Sequence, residues 1–585
     1  MNAHFPSRIF PAVLATGMAL TTPVLAKPGD LDPAFGTAGK VATDFGGVEI
    51  AADVSPVILN GKMIVAGRAG NDFGVMRYNA DGSPDSSFGA GGKVTTDFSG
   101  KSDEAFCVGV GSAGVSLFNI VVVVAGGQAF NGSNYDFAIA RYDSTNGSPV
   151  TGFDGDGEVT TNFGGYEAVK RIVLQVTQGT GPVMLPTIKI VAGGITDHNN
   201  DFDNFDFALA RYNAAGVLDG TFGVGGKVTT DIGGEDEFLF AMLPQPDLGI
   251  LAGGTTTSGG KRFFLLVRYD KFGNLDNSFG TLGKAVVNFP GTDGADCLAL
   301  AAQADGKIIA AGETSPGSLL VVTRLNTDGT VDETFGTAGK VVIPAAIAAS
   351  LTSLTDIALQ ADGKILLAGQ AAGAGGVGSD LGLVRLNNDG SPDLSFGKGG
   401  RVATDFGGIN ESAARPVVRS DGTIVVAGRT DHGGNHDFVL ACYQTAQADA
   451  RLGFDSRVKL GDNRYNLTGS GQTQKTGIPR DGGRKTVLIG IQNERPLTDS
   501  FTVRGTPGND LFKVKYLHNG ANVTNAMVNG TLNTGTLNPG AIYLLKAQIT
   551  AETSKKGKSR TFSVRGDSAF SPNGSDRVLI KAESK

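Results

Sequence analysis

Four aspartates, Asp197, Asp201, Asp203 and Asp206, crowd into ten residues with Asn199, Asn200 and Asn204 among them. Carboxylates and amides at this spacing suit calcium, which takes six to eight hard oxygen ligands on a flexible segment. Repulsion among four neighbouring carboxylates is a second reason to expect a divalent cation there. The loop lacks the Asp-x-Asp-x-Asp-Gly order of an EF-hand, and Asp206 also opens a repeated strand. An exposed polar loop with turn-capping aspartates is therefore the competing reading. Calcium is the one cofactor these residues suggest.

Other reactive side chains form no recognisable set. Four histidines follow residue 26 (His198, His432, His436 and His518), and none sits in a His-Glu-x-x-His or other zinc signature. His432 and His436 flank Gly-Gly in one loop, a weak arrangement for a transition metal. There is no Gly-x-Ser-x-Gly elbow with a supporting strand and helix, no P-loop and no dinucleotide fingerprint. The chain has no tryptophan, on which the sialidase-type Asp-box and the quinoprotein docking repeats lean. No catalytic residue is assigned. Asp44, Asp97, Asp231 and Asp405 recur, as do Arg77, Arg141, Arg211, Arg268, Arg324 and Arg385. One ligand seldom needs so many equivalent groups, so turn capping and charge pairs within each repeat are the expected roles.

The elements that must position these residues repeat. An aromatic followed by a glycine-rich turn falls at Phe35, Phe88, Phe153, Phe222, Phe279, Phe335 and Phe396, spaced roughly 53 to 69 residues apart. Each unit reads as four short strands. The examples are Cys297–Gln303, Lys307–Ala311, Asp206–Tyr212 and Lys227–Ile232. Asp-Gly joins the first two, because the tight turn needs a positive φ that these residues tolerate. Four-stranded units repeated radially make a β-propeller. The chain opens on a lone fourth strand, 40–45, and the last repeat stops at a third, 437–443. Together they complete one blade, giving seven and hiding two edges. A linear solenoid would leave both ends uncapped.

These phrases, Leu-Asp-x-x-Phe-Gly-x-x-Gly-Lys-Val-x-Thr-Asp-Phe-Gly-Gly at 31–47, 275–289 and 392–408 and Gln-x-Asp-Gly-Lys-Ile-x-x-Ala-Gly between them, resemble the delta-60 repeat family. The resemblance covers about residues 29 to 443. It implies a secreted or surface bacterial protein and implies no activity. The third copy departs from it, with Phe153-Asp154-Gly155-Asp156-Gly157-Glu158 where Phe-Gly-x-x-Gly-Lys is usual.

Around this core the organisation is simple. Residues 1–26, with Arg8, an apolar stretch and Val24-Leu25-Ala26, read as a secretory signal peptide. No later run reaches the length of a membrane span. The expected domains are the signal at 1–26, the seven-repeat propeller at 27–447, and a small immunoglobulin-like β-sandwich at 448–585. The whole is all-β. From Asp449 onward there are 21 Lys and Arg against 11 Asp and Glu. Residues 27–448 are correspondingly acidic, a field that repels nucleic acid and anionic membrane. The Lys555-Lys556-Gly557-Lys558-Ser559-Arg560 cluster reads as a solvated loop that a polyanion could contact. Cys107, Cys297 and Cys442 lie on different blades or strands and read as buried free thiols.

Loop length varies between second and third strands, short at 68–71 and long at 195–205 and 370–379. That face is the expected binding face. The functional expectation is a secreted, periplasmic or cell-surface protein that binds an unidentified protein or envelope polymer without catalysis. The alternative is a secreted hydrolase or lyase at the channel mouth, which would need acid and base groups from several blades to converge.

Overall fold

The computed structural model describes residues 28–585 except 56–60, 116–117, 178–186, 198–201, 203, 234, 290, 315–318, 345–346, 348–350, 374–376, 420, 432–435, 445–447, 454–472, 494–498, 539–540 and 569–574. The signal-peptide reading of residues 1–26 falls outside them. Among the described residues no helix is long and apolar enough to cross a membrane.

Seven four-stranded antiparallel sheets follow one another along the chain. We number them as blades 1 to 7, and their strands first to fourth. Blade 1 comprises Glu49–Val54, Met63–Ala69, Asp72–Tyr78 and Lys93–Thr96. Blade 7 takes Ser412–Val418, Ile424–Asp431 and His436–Tyr443 from the end of the repeats, and Lys40–Thr43 from the beginning. In that seam Lys40 faces Ala441 and Thr43 faces Phe438. The ring closes in its core as well. Phe35, Val65 and Met76 pack with Val425, Phe438 and Leu440, so blade 1 abuts blade 7.

The repeated motif residues have definite jobs. The third-strand arginine of blade 1, Arg77, donates from Nε to Asp85 at 2.6 Å and from Nη2 to Ser87 at 2.8 Å. Its guanidinium lies over Phe88, 4.6 Å from the ring centre. Lys62, from the Gly-Lys that opens the second strand, reaches the same Asp85. Arg211, Arg268, Arg324 and Arg385 repeat the pair with Asp219, Asp276, Asp332 and Asp393. Burial alone would raise the Asp393 carboxyl, yet Arg385 and Lys364 hold it at about 2. Blades are also tied to each other: Tyr212 Oη donates to Thr161 Oγ1 of the preceding blade at 2.7 Å. Equivalent Tyr–Thr links join Tyr78 to Thr43 and Tyr443 to Thr404.

Arg141 breaks the rule. Val150 stands where the other blades place the aspartate, and the buried Arg141 Nε has no partner. Burial lowers its pKa. Val150→Asp is therefore expected to stabilise the protein by about 1–2 kcal/mol, because it supplies a charge-assisted bond to a stranded donor. Urea denaturation measures this. A lower midpoint would mean that the packing of Val150 against its neighbours outweighs the missing pair.

After Tyr443 the chain enters two five-stranded sheets. One contains Ala448–Gly453, Arg484–Asn493, Ile542–Ala551 and Phe512–His518, the other Thr473–Ile478, Ser575–Ser584, Ser559–Ser568 and Phe501–Gly505. A two-residue strand completes each. Both sheets share one core, in which Ile489, Leu545 and Tyr516 meet Val503, Phe562 and Ile580. One pairing is parallel, between Thr473–Ile478 and Ser575–Ser584. The strand expected near 456–460 lies outside the described residues.

Candidate functional site

All seven first strands carry a β-bulge at the same place. In blade 1 the register slips between Ala51 and Asp53, and in blade 3 between Val169 and Arg171. The slip leaves one residue per blade unpaired: Ala52, Phe106, Lys170, Phe240, Leu298, Thr355 and Ala414. A bulge turns the extra residue away from the pleat. Here all seven line a single cavity of about 270 Å³ where the first strands converge on the ring axis. Arg429, at the end of a second strand, also lines it. The cavity therefore opens on the face that carries the variable loops.

One residue beyond each bulge lies a second tier, which includes Asp53, Arg171, Asp356 and Arg415. Arg171 reaches across the ring from blade 3 to Asp356 of blade 6 at 3.0 Å. Arg415 bridges Asp53 at 3.2 Å and Asp356 at 3.4 Å. Burial opposes the charge on Arg415, but Asp53 and Asp356 outweigh it and raise the pKa. Two arginines and two aspartates thus form a charge-balanced floor to the cavity. Cys107 sits in the same tier, and burial pushes its thiol pKa up.

The rim is not balanced in the same way. Lys170 Nζ lies 4.1 Å from the centre of the Phe106 ring. Burial lowers the Lys170 pKa, with Glu104 opposing it. Glu104 is raised by burial, against the pull of Arg68, Lys170 and Arg429. The residues that line the cavity include Lys170, Arg171 and Arg429 and no carboxylate. Its wall is otherwise Phe106, Phe240 and aliphatic side chains, with the hydroxyl residues Thr355 and Ser412. Such a site can hold an anionic group against an apolar body.

The sequence did not point to these residues. They lie in the least similar part of the repeat, and the signal available was the glycine that each second strand places opposite the bulge. Of the four aspartates expected to hold calcium, Asp201 and Asp203 are outside the described residues. Asp197 is buried and accepts from Tyr166 N at 2.6 Å and Phe202 N at 3.1 Å. Asp206 opens the third strand of blade 3 and lies with Asp231 and Glu237 rather than with Asp197. His432 is outside the described residues. His518 stacks on Tyr543 at 3.9 Å. All three cysteines are buried and unpaired. The recurring Asp44, Asp97, Asp231 and Asp405 do cap turns, as Asp231 does to Gly233 N at 2.9 Å. The recurring arginines other than Arg141 pair with a different aspartate, the one in Leu-Asp-x-x-Phe and its variants.

No curated protein matches the sequence. Among solved structures, the chain is similar to polysaccharide lyase Uly1 at 11% identity and a TM-score of 0.38, over 68% of this chain and 90% of that one. It is similar to the PQQ-bound aldose sugar dehydrogenase of Streptomyces coelicolor at 13% and 0.32, over 59% and 98%. Pyrococcus horikoshii acylaminoacyl peptidase follows at 10% and 0.33, over 76% and 62%. Likenesses this distant decide nothing about activity. The family described as "Domain of unknown function (DUF5122) beta-propeller" matches residues 59–88, 189–222, 245–279, 303–335, 360–396 and 419–445. Blade 2 is passed over, and it is the blade in which Val150 and Phe153-Asp154 replace the usual residues. The chain is a repeat protein of the β-propeller kind, and that family's model matches segments within six of its seven blades.

Proposed function

We propose that this is a non-enzymatic binding protein that takes a compact anionic ligand with an apolar body at the channel mouth. The observation that carries the reading is the ring of seven bulged residues. The scaffold is nearly symmetric, yet it delivers two phenylalanines, a lysine, a leucine, a threonine and two alanines to one cavity. Structural need alone would favour equivalent residues at equivalent positions. The ion-paired floor leaves Asp53, Asp356, Arg171 and Arg415 occupied with one another, which suits a platform better than proton transfer. The signal-like residues 1–26 support export to the periplasm, the cell surface or the medium. The basic tail is then the module that attaches the acidic ring to an envelope polymer or protein, and an immunoglobulin-like sandwich is our reading of it.

The test is a thermal-shift and calorimetric screen of the full chain against small carboxylates, phosphates and sulfated or uronate sugars. A ligand that stabilises the wild type should lose at least tenfold in affinity in Lys170→Ala and Arg429→Ala, about 1.4 kcal/mol or more. Unchanged affinity in both variants would overturn the site. Lys170 and Glu104 favour a second reading, since burial pushes both toward their neutral forms at one mouth. Turnover of a bound uronate that Lys170→Ala abolishes would establish the hydrolase or lyase instead.

A further inference from the structure

Carboxylates gather in threes at the blade junctions. Asp72 opens the third strand of blade 1, Asp97 follows its fourth strand, and Asp103 opens the first strand of blade 2. One oxygen from each lies within 4.8 Å of the others. Asp437, Asp44 and Glu49 repeat the arrangement between blades 7 and 1, and further trios form around Asp206 and Asp380.

Clustered carboxylates are common, but two details set these apart. The first-strand acids Asp103 and Glu49 are fully buried, at 0% exposure. Each uses one oxygen on the loop backbone: Asp103 Oδ2 accepts from Phe98 N at 2.7 Å, and Glu49 Oε1 from Gly47 N at 2.6 Å. The other oxygen, Asp103 Oδ1 or Glu49 Oε2, has no hydrogen-bond donor. Among the described residues no lysine or arginine forms an ion pair with Asp72, Asp97 or Asp103. Burial, then Asp97 and Asp72, raise the Asp103 carboxyl to about 6. A buried acceptor with no donor loses its water without compensation, and loses more when it is charged.

The second detail is an internal control. After blade 2 the fourth-strand aspartate becomes Asn162, and its amide donates to Asp136 Oδ1 at 3.0 Å. A neutral amide there takes the place of the third carboxylate, although the buried Glu167 Oε2 of this junction also has no hydrogen-bond donor. After blade 4 the same positions are Phe263, Asn288 and Ala295, by the register of their strands. The loop therefore closes without the acids, and turn capping alone does not require them.

We propose that the acidic junctions around Asp103 and Glu49 are calcium sites, with Asp72, Asp97 and Asp103 holding one ion between blades 1 and 2. Hard carboxylate oxygens from three neighbouring segments, with a buried, donorless oxygen on Asp103, match calcium's preference for oxygen ligands. Because the ligands come from two blades, the ion clamps one blade to the next. This site is distinct from the channel mouth.

The experiment uses the full chain stripped with EGTA. Equilibrium dialysis with calcium counts bound ions, and melting is followed with calcium, with magnesium and with chelator. Calcium is expected to raise the Tm by about 5 °C, with magnesium much less effective. Asp97→Asn, which copies Asn162, should lose one bound ion and melt no lower than the wild type in chelator, since repulsion is relieved. The double variant Asp97→Asn/Asp44→Asn should lose two. Calcium counts that are the same in wild type and Asp97→Asn would overturn the proposal, as would no binding at millimolar calcium. Equal effects of magnesium would overturn the choice of metal.

Discussion

Deleting residues 28–47 should unfold the ring rather than trim it. The segment supplies the outer strand of blade 7 and also anchors it to its neighbours. Asp32 N donates to Cys442 O at 2.8 Å, Cys442 N to Gly39 O at 2.9 Å, and Gly397 N of blade 6 to Pro28 O at 2.7 Å. Phe35, 1% exposed, fills the seam between blades 1 and 7. Truncating one buried phenylalanine to alanine costs about 3–5 kcal/mol. Losing the strand, its ladder and this core together exceeds much of the 5–15 kcal/mol by which domains are usually stable. The deletion also bares a third-strand edge, which invites association between chains. Phe35→Ala is the milder test, expected to lower stability by about 3–5 kcal/mol in urea while leaving a folded ring. A deletion variant that melts with the intact protein would show that the ring does not depend on its seam.

Much of this was legible because the repeat carries its own instructions. Asp-Gly and Phe-Gly mark turns that need left-handed backbone, and seven copies fix the phase of the strands. Counting that phase exposed the lone strand at 40–45, observed as Lys40–Thr43, and its partner, observed as His436–Tyr443. Strand ends moved by a residue or two, as for Cys297–Gln303, observed as Ala295–Ala302. The channel site was not legible. A bulge is a one-residue slip in pairing, and composition does not show which residue is left over. Lys170 and Phe240 look like ordinary members of an alternating strand until the slip turns them inward. The acidic trios were hidden for another reason: their members come from separate strands and, at the seam, from opposite ends of the repeats, and each also has a credible local role as a cap or strand opener.

The glycine that ends the Ile-x-x-Ala-Gly phrase should prove the least replaceable residue of each blade. Gly312 stands opposite Cys297, where the first strand of blade 5 slips before Ala299. A Cβ on Gly312 would lie 1.8 Å from the carbonyl oxygen of Asp296. Gly67, Gly127, Gly194 and Gly369 would each meet the matching carbonyl at the same distance. The clash is backbone on backbone, so no side chain can rotate aside, and the bulge itself would have to go. Removing it shifts the strand by one residue and turns Leu298 out of the channel. Gly312→Ala is expected to cost more than about 3 kcal/mol, against the roughly 0.4–1 kcal/mol that alanine gains elsewhere by stiffening the unfolded chain. Gly260→Ala is the control, a left-handed turn with nothing within 4 Å of the added carbon. It should cost only about 1 kcal/mol. Urea midpoints of the two variants decide the matter. Near-equal losses would mean that the bulges, and with them the ring of channel residues, are held by something other than this glycine.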